Sequence, residues 1–101
     1  MKEIISPECI LLSNGLMVRL IGVKTNPQCE DACKKYIKDI VKGKRVFLRY
    51  DVEKYDDSNT MLVYLYLENK TFINAHIIKD KLAWVDSSFD YKYKQKFLSL
   101  L

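Results

Sequence analysis

Apolar and polar positions along this chain form several short apolar runs and one longer stretch with helical spacing. Ile4 and Ile5, ahead of Ser6-Pro7, read as the stub of a strand, and residues 9–12 form a second apolar run. Ser13-Asn14-Gly15 supplies a tight turn, because Asn and Gly accept the positive φ that hairpin turns need. The chain then returns as a strand over 16–23, with Arg19 its only charge. Next, Cys29, Ala32, Cys33, Tyr36, Ile37, Ile40 and Val41 recur at the three-and-four spacing of one buried helix face. Pro27 suits a first helical position, Thr25 or Asn26 an N-cap, and Gly43 the position just past the end. Glu30 and Asp31 near the start, with Lys38 and Lys42 near the end, match the helix dipole.

The second half returns to strands over 45–51 and 61–67, separated by a polar, acidic segment, Asp51 to Thr60, that reads as an exposed, solvated loop. Glu68-Asn69-Lys70 reads as a turn into a short strand over 71–73. Asn74 is placed to cap a short helix through Lys81 that buries Ile77, Ile78 and Leu82. Ser88 or Asp90 is placed to start a final, basic helix over 91–100. Five short strands with two or three helices, in this order, predict a small β-barrel with helices, an α+β fold occupying residues 1–101 as one domain.

Composition narrows the class. The chain has 101 residues, is 49% hydrophobic and 30% charged, and holds three Gly and two Pro, which suits a packed globule and excludes a disordered or collagen-like chain. No apolar run approaches the roughly 18 residues of a membrane span, and the first residues do not read as a signal peptide. Three cysteines without framework spacing point to reduced thiols, hence to the cytoplasm. Seventeen basic against thirteen acidic residues give +4, which permits a nucleic-acid partner without demanding one.

Four blocks carry a resemblance. They are Leu12-Ser13-Asn14-Gly15-Leu16-Met17-Val18-Arg19-Leu20-Ile21-Gly22-Val23, Gly43-Lys44-Arg45-Val46-Phe47-Leu48, Leu62-Val63-Tyr64-Leu65-Tyr66-Leu67, and Phe72-Ile73-Asn74-Ala75-His76-Ile77-Ile78 through Leu82-Ala83-Trp84-Val85. In order and spacing the chain resembles the staphylococcal nuclease-like (thermonuclease) family, which implies a five-stranded OB-fold barrel with helices. The family's first strand is longer than residues 1–6 allow, which suggests residues cut away before Met1, or a module that follows another domain. The general character of the chain is also similar to the degenerate nuclease-like module appended to some prokaryotic DNA modification methyltransferases. That likeness would make a methyltransferase the parent catalytic domain in cis. The methyltransferase's own glycine-rich cofactor loop and Asn/Asp-Pro-Pro-aromatic motif are absent.

The family reaction uses calcium held by carboxylates, a glutamate acting on water, and two arginines. The resemblance puts Glu8 at the first metal carboxylate, Arg19 at the first arginine, and Thr25 at a further ligand of the motif. It puts Lys24 at the second metal aspartate, Pro27 at the general base, and Thr60 at the second arginine. Each such loss typically costs about 100- to 1,000-fold in rate, so no catalysis, metal or cofactor is expected of this domain. A charge such as Arg19 inside an apolar strand needs a partner, and Glu8 is the natural one, in a role either structural or functional. The family's two nucleotide-pocket tyrosines fall on Ser87 and Phe89. Lys34, Lys35, Lys38 and Lys42 on the exposed side of the long helix, with Lys44, Arg45, Arg49, Lys92, Lys94 and Lys96, offer phosphate-contacting charge, or only solvation. Cys29 and Cys33 read as buried small hydrophobes, Trp84, Tyr64 and Tyr66 as core or half-buried strand residues, and His76 as surface.

The expectation is a catalytically inactive nuclease-like module that helps a DNA-modifying protein hold DNA. A protein-interaction or dimerisation module is the alternative, and an active calcium-dependent nuclease the third reading.

Overall fold

The structure is a computed structural model and describes residues 3–12, 15–51, 55, 60–88 and 91–100. In chain order the strands and helices are β1 (Glu3–Ser6), β2 (Cys9–Leu11), β3 (Met17–Leu20), β4 (Val23–Thr25), α1 (Glu30–Val41), β5 (Val46–Arg49), β6 (Met61–Leu67), α2 (Ile73–Lys79), β7 (Ala83–Val85) and α3 (Lys94–Ser99). A five-stranded sheet runs β1-β2-β3-β6-β5, and β4 pairs with β7 in a second, two-stranded sheet. All pairings are antiparallel except β3 with β6, which is parallel, with Val18 opposite Met61 and Leu20 opposite Val63. A parallel pair needs a long crossover, and here α1 and β5 supply it. This is the mixed, helix-bearing OB-type sheet that the sequence predicts.

Several boundaries differ from expectation. The predicted strand over 16–23 divides into β3 and β4, because Gly22 takes φ +78 and turns the chain. Gly22 lies so close to the α3 region that a Cβ there would stand 2.7 Å from the Phe97 ring and 2.8 Å from Tyr91. Neither Thr25 nor Asn26 is the helix N-cap. Asn26 Oδ1 instead accepts from Gln28 N at 3.1 Å, so residues 26–29 form a turn and Cys29 stands at the cap. Gly43 does follow the helix in the left-handed region, φ +68. On α1, Cys33, Ile37 and Val41 are buried, whereas Ala32, expected on that face, is exposed. The 71–73 strand reduces to one bridge between Tyr66 and Phe72. Ser88 does not start a helix, because it donates through N and Oγ to Asp86 Oδ1, and α3 begins only at Lys94.

The largest correction concerns Asn74. It lies inside α2 rather than capping it, is fully buried, and spends its amide on three backbone groups. Its Oδ1 accepts from Leu65 N at 2.9 Å, while Nδ2 donates to Ile21 O at 2.9 Å and Val63 O at 3.3 Å. The core around it is Ile10, Val18, Leu20, Ile21, Val63, Leu65, Ile73, Ile77 and Ile78, with Cys33 and Ile37 from α1 and Phe97 from α3. On the outer face of β6, Tyr66 stacks on Phe72 at 4.5 Å and Tyr93 meets Tyr64 edge-on at 4.9 Å, which docks the α3 segment on the sheet. Asp51, expected in a solvated loop, fastens this layer by accepting from Tyr64 Oη and from Lys92 N.

Two substitutions test this packing. Asn74→Ala leaves Leu65 N without an acceptor in the core and should cost about 3 kcal/mol in urea unfolding. Gly22→Ala combines a left-handed backbone with a clash and should cost about 2 kcal/mol or more. A change below about 0.5 kcal/mol in either would show that the bracket or the close approach is not needed.

Candidate nucleic-acid interface

Glu8 occupies the turn that leads into β2, where the next residue, Cys9, pairs with Arg19 of β3. Arg19 Nη2 donates to Glu8 Oε1 at 3.1 Å. Thr25, at the end of β4, donates to Glu8 Oε2 twice, from its backbone N at 2.8 Å and from Oγ1 at 2.5 Å. The structure thus brings Glu8, Arg19 and Thr25 together from three separate segments, with the Glu8–Arg19 pair as the sequence suggested. Burial pushes the Glu8 carboxyl up, but the Thr25 hydrogen bonds and the Arg19 charge together outweigh it and leave the group below its ordinary value. Lys24 is exposed and lies opposite Trp84 in the β4–β7 ladder, Pro27 is exposed, and Thr60 is half-buried just before β6. Trp84 is also exposed, contrary to expectation, since Ala83 and Val85 of β7 pack on the core and Trp84 between them faces the other way.

The basic residues separate into distinct surfaces. Lys34, Lys35, Lys38, Lys42 and Lys44 converge on one groove of about 750 Å³ between α1 and β1, whose other lining includes Ile4 and Val41. The 3.6-residue period places Lys34, Lys35 and Lys38 on one side of α1, Lys42 stands at its C-cap, and the turn at Gly43 brings Lys44 round to join them. Arg45 is exposed just before β5. Arg49 and Lys92 line a second groove, of about 870 Å³, with Phe47, Tyr50, Tyr66, Lys70 and Tyr93. Lys96 lies 5.7 Å from the ring centres of both Phe72 and Tyr93, and Lys94 is half-buried at the start of α3.

Of the two positions matched to the nucleotide-pocket tyrosines, Ser87 is exposed and Phe89 falls outside the described residues. Cys33 is buried, and that burial, with the neighbouring Cys29, pushes its thiol up to about 12. Such a thiol is inert at neutral pH. His76 is exposed as expected. The aromatic members of the second groove, Phe47, Tyr50 and Tyr93, were not singled out by sequence. The available signal was the two-residue alternation in β5, which puts Phe47 and Arg49 on one face.

Residues 17–100 match the family model described as staphylococcal nuclease homologue. The chain belongs to that family. No match was found among curated proteins. Within this nuclease homologue, the matched span takes in every element from β3 to α3, with Arg19, Thr25 and both grooves' cations inside it, while Glu8 precedes it.

Because the Glu8 pKa is lowered on folding, its carboxylate adds stability that is complete above the ordinary value of 4.5 and is lost as pH falls through the folded value. Glu8→Gln should therefore destabilise the nuclease homologue by about 1 kcal/mol at pH 7, a modest figure because Arg19 is solvent-screened. The gap should close on acidification below pH 4.5, as followed by urea unfolding with far-UV circular dichroism. A gap independent of pH would contradict this account.

Proposed function

We propose that this domain is a catalytically inactive nuclease-like OB module that holds DNA for a DNA-modifying protein, with a methyltransferase as the favoured parent. The observation that supports the DNA-holding part most directly is the convergence of five lysines on the α1–β1 groove. Concentrated positive charge of this kind neutralises phosphates and releases their counterions, without reading sequence. The family supplies the nucleic-acid context.

Donor chemistry supports the loss of catalysis. Calcium takes six to eight oxygen ligands. Glu8 offers two, and each already accepts hydrogen bonds from Arg19 or Thr25. Among the described residues, no group of three or more His, Cys, Asp or Glu side chains is placed to hold a metal. These residues do not fit a calcium ion, so no hydrolytic step is assigned through one. Pro27, which the family likeness sets at the general base, has no titratable group to activate water.

The test is fluorescence anisotropy with labelled DNA over a salt series, calcium present, with probe length checked afterwards. Binding should weaken steeply with salt while the probe stays intact. Replacing Lys34, Lys35 and Lys38 together by Ala should reduce the log–log salt slope by roughly 2 to 3. No binding at low salt would remove the DNA-holding role, and a shortened probe would restore the nuclease.

A further inference from the structure

We infer that the groove between β5, β6 and the α3 segment is a stacking site for single-stranded DNA, separate from the lysine groove of α1 and β1. The inference rests on the reading that this module holds DNA, and adds to it a strand state and a second surface.

Its floor is rigid and aromatic. Phe47 lies opposite Tyr66, and Arg49 opposite Tyr64, in the β5–β6 register. Tyr66 is backed by Phe72 in a near-parallel stack, with planes 14° apart. Burial and a hydrogen bond with Tyr93 push the Tyr66 phenol up to about 12, so this ring stays neutral where a phosphate approaches. Two rings stand out of this floor towards solvent, Phe47 at 48% exposure and Tyr50 at 43%. Tyr50 is steadied through its hydroxyl, which donates to Met61 Sδ at 3.2 Å. An exposed ring costs the transfer free energy it would gain inside, and a single one needs no explanation. Here the two share one groove with three cations.

Those cations decide the class of occupant. Arg49 lies 5.8 Å from the Tyr66 ring centre and Lys92 5.3 Å from that of Tyr93, so both are held at the groove by the rings themselves. Lys70 completes the set, and Glu68 is the one acid among the lining residues. Aromatic faces interleaved with positive charge suit a strand whose bases are unstacked and whose backbone is anionic. In a duplex the base faces are already covered. A protein partner fits less well, since lysine is depleted from the cores of such interfaces. The α1–β1 groove has the opposite character: its lining is lysine-rich and contains no aromatic residue, so it contacts phosphates whether or not the bases are paired. Selectivity for single strands therefore belongs to the aromatic groove.

The deciding experiment compares oligo-dT, oligo-U and a DNA duplex of equal length, by anisotropy at low salt. It uses the full chain, Phe47→Ala/Tyr50→Ala, and the triple lysine variant. The aromatic variant should bind oligo-dT at least tenfold more weakly with duplex affinity within twofold of the parent chain. Phe47→Trp should keep oligo-dT binding and show quenched emission when bound. If the double variant loses its circular dichroism signal, Phe47→Leu, which keeps bulk without a ring, is read in the same way. Parent-like oligo-dT binding by the aromatic variant, with loss only in the lysine variant, overturns the groove and leaves the DNA-holding role standing. Absence of binding to either DNA by the parent chain overturns both, including the case in which Phe47 serves a self-association detectable by sedimentation. Tighter binding to oligo-U than to oligo-dT overturns the assignment to DNA.

Discussion

One buried amide organises this small domain. Asn74 stands where the core should be wholly apolar, and it bonds three backbone groups at the β3–β6 junction. Its position is a physical necessity of the topology. A parallel pair between β3 and β6 brings Ile21 O and Val63 O to one place at the point where the chain leaves the sheet through Gly22. Ile21 N already donates to Val63 O at 2.9 Å, so Asn74 adds a second donor there and serves Ile21 O and Leu65 N, buried groups that are costly to leave unpaired. Because Asn74 belongs to α2, the same bonds fix that helix against the sheet, and α2 in turn contributes Ile73, Ile77 and Ile78 to the core.

The consequences reach the Glu8–Thr25 contact and the aromatic groove. Gly22 starts the turn into β4, and β4 ends at Thr25, so the placement of Thr25 against Glu8 depends on the junction held by Asn74. Gly22 also admits Phe97 and Tyr91 at a distance that no other residue would permit. That close approach seats the α3 segment, which then lays Tyr93 on Tyr64 and Tyr66. Asp51 completes the seat from the other side through Tyr64 and the Lys92 amide. The aromatic groove is therefore an outcome of the way α3 docks and not of β5 alone.

Periodicity made much of this legible. The α1 face, the runs that became β2, β5 and β6, and the Glu8–Arg19 pair follow from spacing and from the need to partner a charge. The remainder depended on tertiary partners that no local pattern contains. Asn74 looks like a cap in sequence because asparagine ahead of an apolar run usually is one. Its burial is decided by Ile21, 53 residues away in the chain. Asp51 reads as loop because the acids after it do, whereas Tyr64 and Lys92 draw it into the packed layer. Ser88 and Asn26 are both cap-type residues, and both are drawn into local turns instead. The division of the cations between two grooves was likewise hidden, since Arg49 and Lys92 stand 43 positions apart and meet only across the α3 segment.

Under the proposed reading, Glu8 and Arg19 also show why a residue at a catalytic-type position is weak evidence for catalysis. Arg19 is exposed, so its pair with Glu8 is solvent-screened, and the pair serves the fold with no need of a reaction. Glu8 does more than neutralise that charge, because its second oxygen takes both hydrogens Thr25 can offer and so links the β2 entry, β3 and the end of β4. A carboxylate engaged in this way is a structural bracket. Its oxygens would have to leave Arg19 and Thr25 before they could hold a metal ion, and the lost bonds would count against the metal. The geometry that keeps Glu8 useful to the fold is thus the same geometry that opposes its use in hydrolysis, and under the proposed reading the former role is enough to retain it.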